Sequence, residues 1–272
     1  MNVKRVLLLL TALVLAACNA PQATPTVTPI TTRIRIAADG DTAPLMRALT
    51  DAYYAVNPHV VFTVDAGNPA FVANELQSGK VVLAATALPP ADGSRWLADL
   101  AMDGIAVIVH PQNAIPGITL QDARAIFSGE RNNWSDYNVE GLGPIEVAVR
   151  EAGDGSRRVF DDTVMGAQKL TLDAFVMPSV DTMLNFPMVK PNAIGYAPSS
   201  GVARQPRPVK MLPINGIVPT PETISKGDYP LGRTLNLMAM REPEGELRDF
   251  VAWALGPAGK QIAAQQGYVP MP

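Results

Sequence analysis

Cysteine occurs once in the 272 residues, at Cys18, and histidine twice, at His59 and His110. Neither a zinc cluster nor a cysteine nucleophile with its own base can be assembled from so few donors, so no metal and no cofactor is expected. His59 after Asn57-Pro58 and His110 before Pro111 read as structural or surface residues. There is no Gly-x-Ser-x-Gly elbow and no phosphate-loop lysine motif, and the acid pairs Asp99/Asp103, Asp161/Asp162 and Glu242/Glu244 read as solvated faces. The chain therefore lacks the groups that catalysis would use. Charge is also sparse, at 17% of residues, with a formal net charge of −3. Loss of residues 1–17, which carry Lys4 and Arg5 and no acid, would take it to −5, a balance that argues against nucleic acid. Beyond residue 17 no apolar run approaches the roughly 18 residues of a spanning helix. The eleven methionines are scattered through apolar segments, as at Met165, Met177, Met183 and Met188, and read as core filler.

What is present begins with an export signal. Lys4 and Arg5 form a basic start, Val6 to Val14 an apolar core, and Leu15-Ala16-Ala17-Cys18 closes it. Leu-Ala-Ala-Cys resembles the lipobox of bacterial lipoproteins, which implies cleavage of residues 1–17 and lipidation of Cys18 with diacylglycerol and a further chain such as palmitate. The other reading is an incidental cysteine after a conventional signal. Residues 18–32, with Pro21, Pro25 and Pro29 among threonines, lack apolar periodicity and read as an extended tether. The expected address is the extracytoplasmic face of the cell membrane, through a lipid anchor.

From residue 33 the pattern alternates. Arg33 to Ala37, Val60 to Val64 and Val81 to Ala85 read as strands, and Thr42 to Tyr54 and Pro69 to Ser78 as helices between them. Strands apolar on both faces, alternating with helices, imply an α/β fold with mainly parallel sheets flanked by helices. Further strands are expected at Ile105 to Val109, Ile145 to Val149, Ile194 to Ala197 and Leu235 to Met240. Helices are expected from Thr119, an N-cap with Asp122 three residues on, to Phe127, after Gly155, at Gly245 to Leu255 and at Gly259 to Gln266. In such sheets ligands sit beyond the carboxyl ends of strands, which directs attention to the turns after the first three strands.

The richest of these turns is Arg150-Glu151-Ala152-Gly153-Asp154-Gly155-Ser156-Arg157, where a strand enters a glycine-rich turn and then a helix. Unpartnered N–H groups at a helix start, a serine hydroxyl and two forked arginines suit an oxyanion. By itself the octapeptide also fits an ordinary strand-to-helix loop.

Several dispersed blocks decide more. Asp103 to Pro111, Leu120 to Asp136 with Ile126-Phe127-Ser128-Gly129 and Asn133-Trp134-Ser135-Asp136, Arg150 to Arg157, Asn192 to Tyr196, and Tyr229-Pro230-Leu231-Gly232-Arg233 together resemble the phosphate-binding lipoproteins of ABC-type importers. These belong to the type II periplasmic-binding-protein superfamily. The resemblance implies two lobes joined by crossover strands with a ligand cleft between them: residues 33–110 plus 216–272 as lobe 1 and 111–215 as lobe 2. It implies a monomer that captures inorganic phosphate or a similar oxyanion, delivers it to the permease subunits of an ABC importer, and is not an enzyme. Trp134 reads as a core anchor.

Carried onto this chain, the family's ligand positions fall on Gly40, Asp41 and Thr42 after the first strand, Asn68 after the second and Thr86 after the third. In the glycine loop they fall on Arg150, Asp154, Gly155, Ser156 and Arg157. Asp41 and Asp154 stand where hydroxyls are expected, and Ala87 removes a side-chain partner. A carboxylate about 4 Å from an anion costs several kcal/mol at intermediate dielectric. Asp154 has two readings, as N-cap of the following helix or as acceptor of the proton of a protonated oxyanion. The substituted loop also leaves open a ligand-altered or ligand-free surface module, a sensor or assembly protein.

Overall fold

The computed structural model describes residues 31–89, 95–205 and 208–271; the export signal, Cys18 and most of the expected tether lie outside the described residues. Residues from Thr31 onward form one compact unit. Its first strand, β1 (Thr32–Asp39), opens a run of alternating elements: α1 (Ala43–Val56), β2 (Val60–Gly67), α2 (Pro69–Gln77) and β3 (Leu83–Thr86). β1 lies between β2 and β3, parallel to both. Asp39 is in register with Gly67, and Ala38 with Ala85, so the three carboxyl ends and the turns after them come together.

β4 (Trp96–Val109) is much longer than the strand the sequence suggests there. Then come α3 (Leu120–Ser128), β5 (Glu146–Arg150), α4 (Gly155–Phe160), β6 (Phe175–Met177), α5 (Val180–Val189), β7 (Ala193–Pro198), α6 (Ser199–Arg204) and β8 (Lys210–Met211). The chain closes with α7 (Pro221–Ser225), β9 (Gly232–Ala239), α8 (Gly245–Leu255), α9 (Pro257–Gln265) and β10 (Val269–Pro270). The capping box expected at Thr119 and Asp122 is present, and α3 stops at Gly129 with φ 80°. That left-handed conformation costs glycine least. α4 runs directly into a π-helical turn, Asp161–Met165, which the periodicity does not reveal.

The strand order is β2-β1-β3-β9-β4-β7-β5-β6. Pairing is parallel within the β1 set and within the β5 set, whereas β4 and β9 run antiparallel to their neighbours. The expectation of mainly parallel sheets holds on either side of these two crossover strands and not across them. β4 pairs with β9 through Trp96 to Gly104 and with β7 through Ile105 to Val109, so one strand serves both halves of the sheet.

Each half has its own core. Ile36, Leu45, Leu49, Leu83, Leu237 and Phe250 pack in the first, where the Tyr53 and Phe250 rings meet edge-to-face at 5.3 Å. Ile105, Val107, Phe127, Trp134, Phe160 and Tyr196 pack in the second, joined by Ile224, Tyr229 and Leu231. Trp134 is fully buried and donates its Nε1–H to the Asn192 carbonyl at 2.8 Å. Met165 and Met183 are buried as filler; Met177 and Met188 are only partly so. Among the described residues no helix is long and apolar enough to cross a membrane.

Candidate functional site

The turn after β1 carries two carboxylates that are held differently. Asp39, fully buried, accepts from the Thr42 backbone N–H at 3.0 Å and hydroxyl at 2.8 Å, and from the Ala87 N–H at 2.9 Å. Burial pushes its carboxyl above the ordinary value of 3.8 and the charge of Asp41 adds to this, against the opposing pull of the Ala87 N–H, Thr42 and Thr86. Thr42 is thereby committed to Asp39 and to the Ala85 carbonyl, at 2.8 Å, and Thr86 accepts from the Leu88 N–H at 3.0 Å.

Asp41 reaches outward from its loop. Both its carboxylate oxygens lie 2.9 Å from the Ser156 hydroxyl at the start of α4, and Oδ2 lies 2.7 Å from Arg233 Nη1 on β9. Its backbone carbonyl accepts from the Tyr268 hydroxyl at 2.7 Å. Burial pushes that phenol up to about 12. Gly155 allows a close approach: a Cβ there would lie 3.1 Å from Asp41 Oδ2, a tight contact, and 3.7 Å from Asp39 Oδ2.

Arg233 sits opposite Asp103 in the β4–β9 ladder. Burial disfavours its charge, but Asp41, Asp103 and Asp39 outweigh this and hold the guanidinium firmly protonated. Its Nη2 is 3.7 Å from Asp103 and 3.5 Å from the Ser156 hydroxyl. Asp103 is buried, not solvated as its spacing from Asp99 suggests. It accepts from the Ser199 hydroxyl at 2.7 Å, the Ser200 hydroxyl at 2.8 Å and N–H at 3.0 Å, and the Gly104 N–H at 2.8 Å. A buried carboxylate persists only with such donors, and α6 supplies most of them.

The arginines of the glycine loop turn elsewhere. Arg150 donates through Nη2 and Nε to Asp154 Oδ2, at 2.8 and 3.2 Å, and through Nη1 to the Met177 carbonyl at 2.7 Å. Asp154 is the N-cap of α4, its Oδ1 accepting from the Arg157 N–H at 3.1 Å. The cap reading of Asp154 is therefore the one the geometry favours, with Arg150 as its second partner. Arg157 pairs with Asp161 at 2.8 Å and lines an open surface groove with Lys169. Asn68 caps α2 by accepting from the Phe71 N–H at 2.8 Å, while its amide nitrogen faces Gly153. Nothing crowds Gly40.

Of the residues singled out from sequence, Asp41, Gly155 and Ser156 are in direct contact, Thr42 and Thr86 stand beside Asp39, and Asn68 abuts the glycine loop. Arg150, Asp154 and Arg157 form a separate string of ion pairs. Sequence reasoning did not assign roles to Asp39, Asp103, Arg233, Ser199, Ser200 or Tyr268. Arg233 and Asp103 could have been found, because they end the Tyr229 to Arg233 block and begin the Asp103 to Pro111 block; Tyr268 carries no local signal. Among the described residues no group of three His, Cys, Asp or Glu is arranged to hold a metal.

Two parallel strand sets sharing two antiparallel crossover strands, with polar turns gathered at the strand ends, define a binding protein of the α/β class. The profile of the PBP superfamily domain matches residues 21–258, and the chain belongs to that superfamily. The phosphate-binding protein PstS of Bacillus subtilis is 24% identical over 239 residues, 84% of this chain and 77% of that protein. PstS of Pseudomonas aeruginosa is 24% identical over 194 residues, 64% of this chain, and the match spans 59% of that relative's length. A substrate-binding protein from Clostridium perfringens, solved with bound phosphate, superposes with a TM-score of 0.80 at 22% identity, covering 89% of this chain and all of that one.

Proposed function

We propose that this chain is an extracytoplasmic solute-binding lipoprotein that captures phosphate or a related oxyanion for an ABC importer. The observation that carries the reading is the convergence of the β1, β3 and α4 turns with Arg233, which brings the Ser156 hydroxyl, the Arg233 guanidinium and the Ala87 N–H to bear on negatively charged oxygens within one buried cluster. Such donors, fixed before the ligand arrives, are what oxyanion recognition needs. The named relatives are phosphate-binding proteins, which supports phosphate as the solute. The reading takes lobes at 33–110 plus 216–272 and at 111–215, closing as hinged bodies; Ile105, Val107, Ile224, Tyr229 and Leu231, within the first of these ranges, pack in the second core. Gly40, Asp41, Thr42, Asn68, Thr86, Arg150, Gly155, Ser156 and Arg157 remain the proposed cleft residues, to which Asp39 and Arg233 are added, while Asp154 is read as the cap of α4.

Calorimetric titration of the full chain with phosphate, sulfate and molybdate tests the reading. Binding of phosphate is expected; a folded chain that takes up none of the three refutes it. The second reading, a surface module without a solute, is favoured by the presence of Asp41 among the donors, and that negative result would support it.

A further inference from the structure

The donors around Asp41 are arranged as around a ligand. None of the side-chain donors to its carboxylate comes from its own loop: Ser156 belongs to α4 and Arg233 to β9, 115 and 192 residues away. Asp39, two residues earlier, is held mainly from within the loop by Thr42. Asp41 uses both oxygens on one hydroxyl and touches the guanidinium through Nη1 alone. Arg233 Nε, buried, has no partner among the described residues. A guanidinium that reaches the carboxylate through one nitrogen, beside a hydroxyl shared by two oxygens, leaves donor capacity that a larger oxyanion would use. At Gly155 a Cβ would already lie 3.1 Å from the Asp41 carboxylate, so the glycine keeps that contact uncrowded.

We infer that Asp41 is an intrachain stand-in for the solute: its carboxylate occupies the oxyanion seat formed by Ser156 and Arg233, and a solute oxyanion binds by displacing it. This rests on the reading of the cluster as an oxyanion seat. Because Asp41 belongs to the β1 turn and Ser156 to the β5 side of the sheet, the same contact holds the two halves together without solute. Affinity in this chain is then set by competition, since the free energy of the Asp41 contacts is subtracted from that of every solute. Asp41 is in this sense the affinity-determining residue, and phosphate is expected to bind more weakly than the donor set allows.

The test is calorimetric titration of the full chain with inorganic phosphate in three forms: wild type, Asp41→Asn, which keeps the shape and removes the charge, and Asp41→Ser, which also clears the seat. Circular dichroism checks the fold of each. Both variants are expected to bind phosphate about tenfold or more tightly than wild type, the equivalent of one lost charged hydrogen bond. Folded variants with affinity equal to or below a wild type that itself binds phosphate overturn the inference and leave solute capture standing. With sulfate and molybdate titrated alongside, absence of binding of all three anions in all three forms overturns both. Small-angle scattering of the wild type supplies a readout that needs no variant: equal radii of gyration with and without phosphate are expected, and compaction on adding phosphate overturns the internal latch.

Discussion

The hydroxyl of Ser156 lies 2.9 Å from each carboxylate oxygen of Asp41, both residues being almost wholly buried. A hydroxyl has one proton to give, so the two oxygens share it, and Arg233 supplies the remaining compensation. Ser156→Ala removes a hydrogen bond to a buried charge. It is expected to lower stability by about 1.5 to 3 kcal/mol, read from urea denaturation midpoints. A wild-type midpoint would mean that the contact contributes nothing net.

Arg233 is the cation nearest both Asp41 and Asp103 in the buried cluster. Arg233→Met leaves two buried carboxylates without their countercharge and is expected to destabilise by about 3 to 5 kcal/mol. Adding Asp41→Asn should recover part of that loss, because it removes one of the stranded charges. Additive losses in the double-mutant cycle would show that the pair is not coupled.

Asp39 gives a pH dependence with a defined sign. Its carboxyl is raised by burial and by Asp41, so the folded chain holds that proton to higher pH than the unfolded chain does. Between the ordinary value of 3.8 and the raised one, the folded state binds more protons, and the contribution of Asp39 to stability falls as pH rises. Asp39→Asn, which does not titrate, is therefore expected to gain on wild type as pH increases above the ordinary carboxyl range. Melting temperatures across a pH series check it, and a difference between the two forms that is flat with pH would exclude a raised Asp39.

Asp154 caps α4 and pairs with Arg150. In Asp154→Ser the cap is retained, since serine caps comparably, and the loss is that of a charged hydrogen-bond partner, about 1.5 to 3 kcal/mol. Discrimination between phosphate and sulfate is expected to stay unchanged, because the carboxylate is turned to Arg150. A shift in the phosphate-to-sulfate affinity ratio, measured by calorimetry, would instead put Asp154 in the cleft. Arg150→Ala is expected to weaken phosphate binding by about 2 to 4 kcal/mol if its guanidinium leaves Asp154 for the solute; unchanged affinity would assign it to the fold alone.

Cys18→Ala tests the proposed anchor. The variant is expected to remain uncleaved or to leave the membrane fraction, because acyl chains contribute roughly 0.8 kcal/mol per buried CH2 and no other anchor is proposed. Normal processing with membrane association retained would refute the lipobox reading.

The alternation β1-α1-β2-α2-β3 was legible in the sequence because each element carries its own period, and the start of α3 was legible from Thr119 with Asp122 and that of α4 from the glycine turn before Ser156. Those are signals within a few residues, set by backbone sterics and local hydrogen bonding. The resemblance likewise located the turns that meet. What the tertiary structure alone decided is how those turns are partnered. Asp103 is buried against Arg233 because the β4–β9 register sets them opposite each other. Tyr268 finds the Asp41 carbonyl across 227 residues. Asp41 is drawn to Ser156 and Arg233 because a charge taken out of water takes whatever donors the fold brings within reach, and no spacing in the chain encodes that choice.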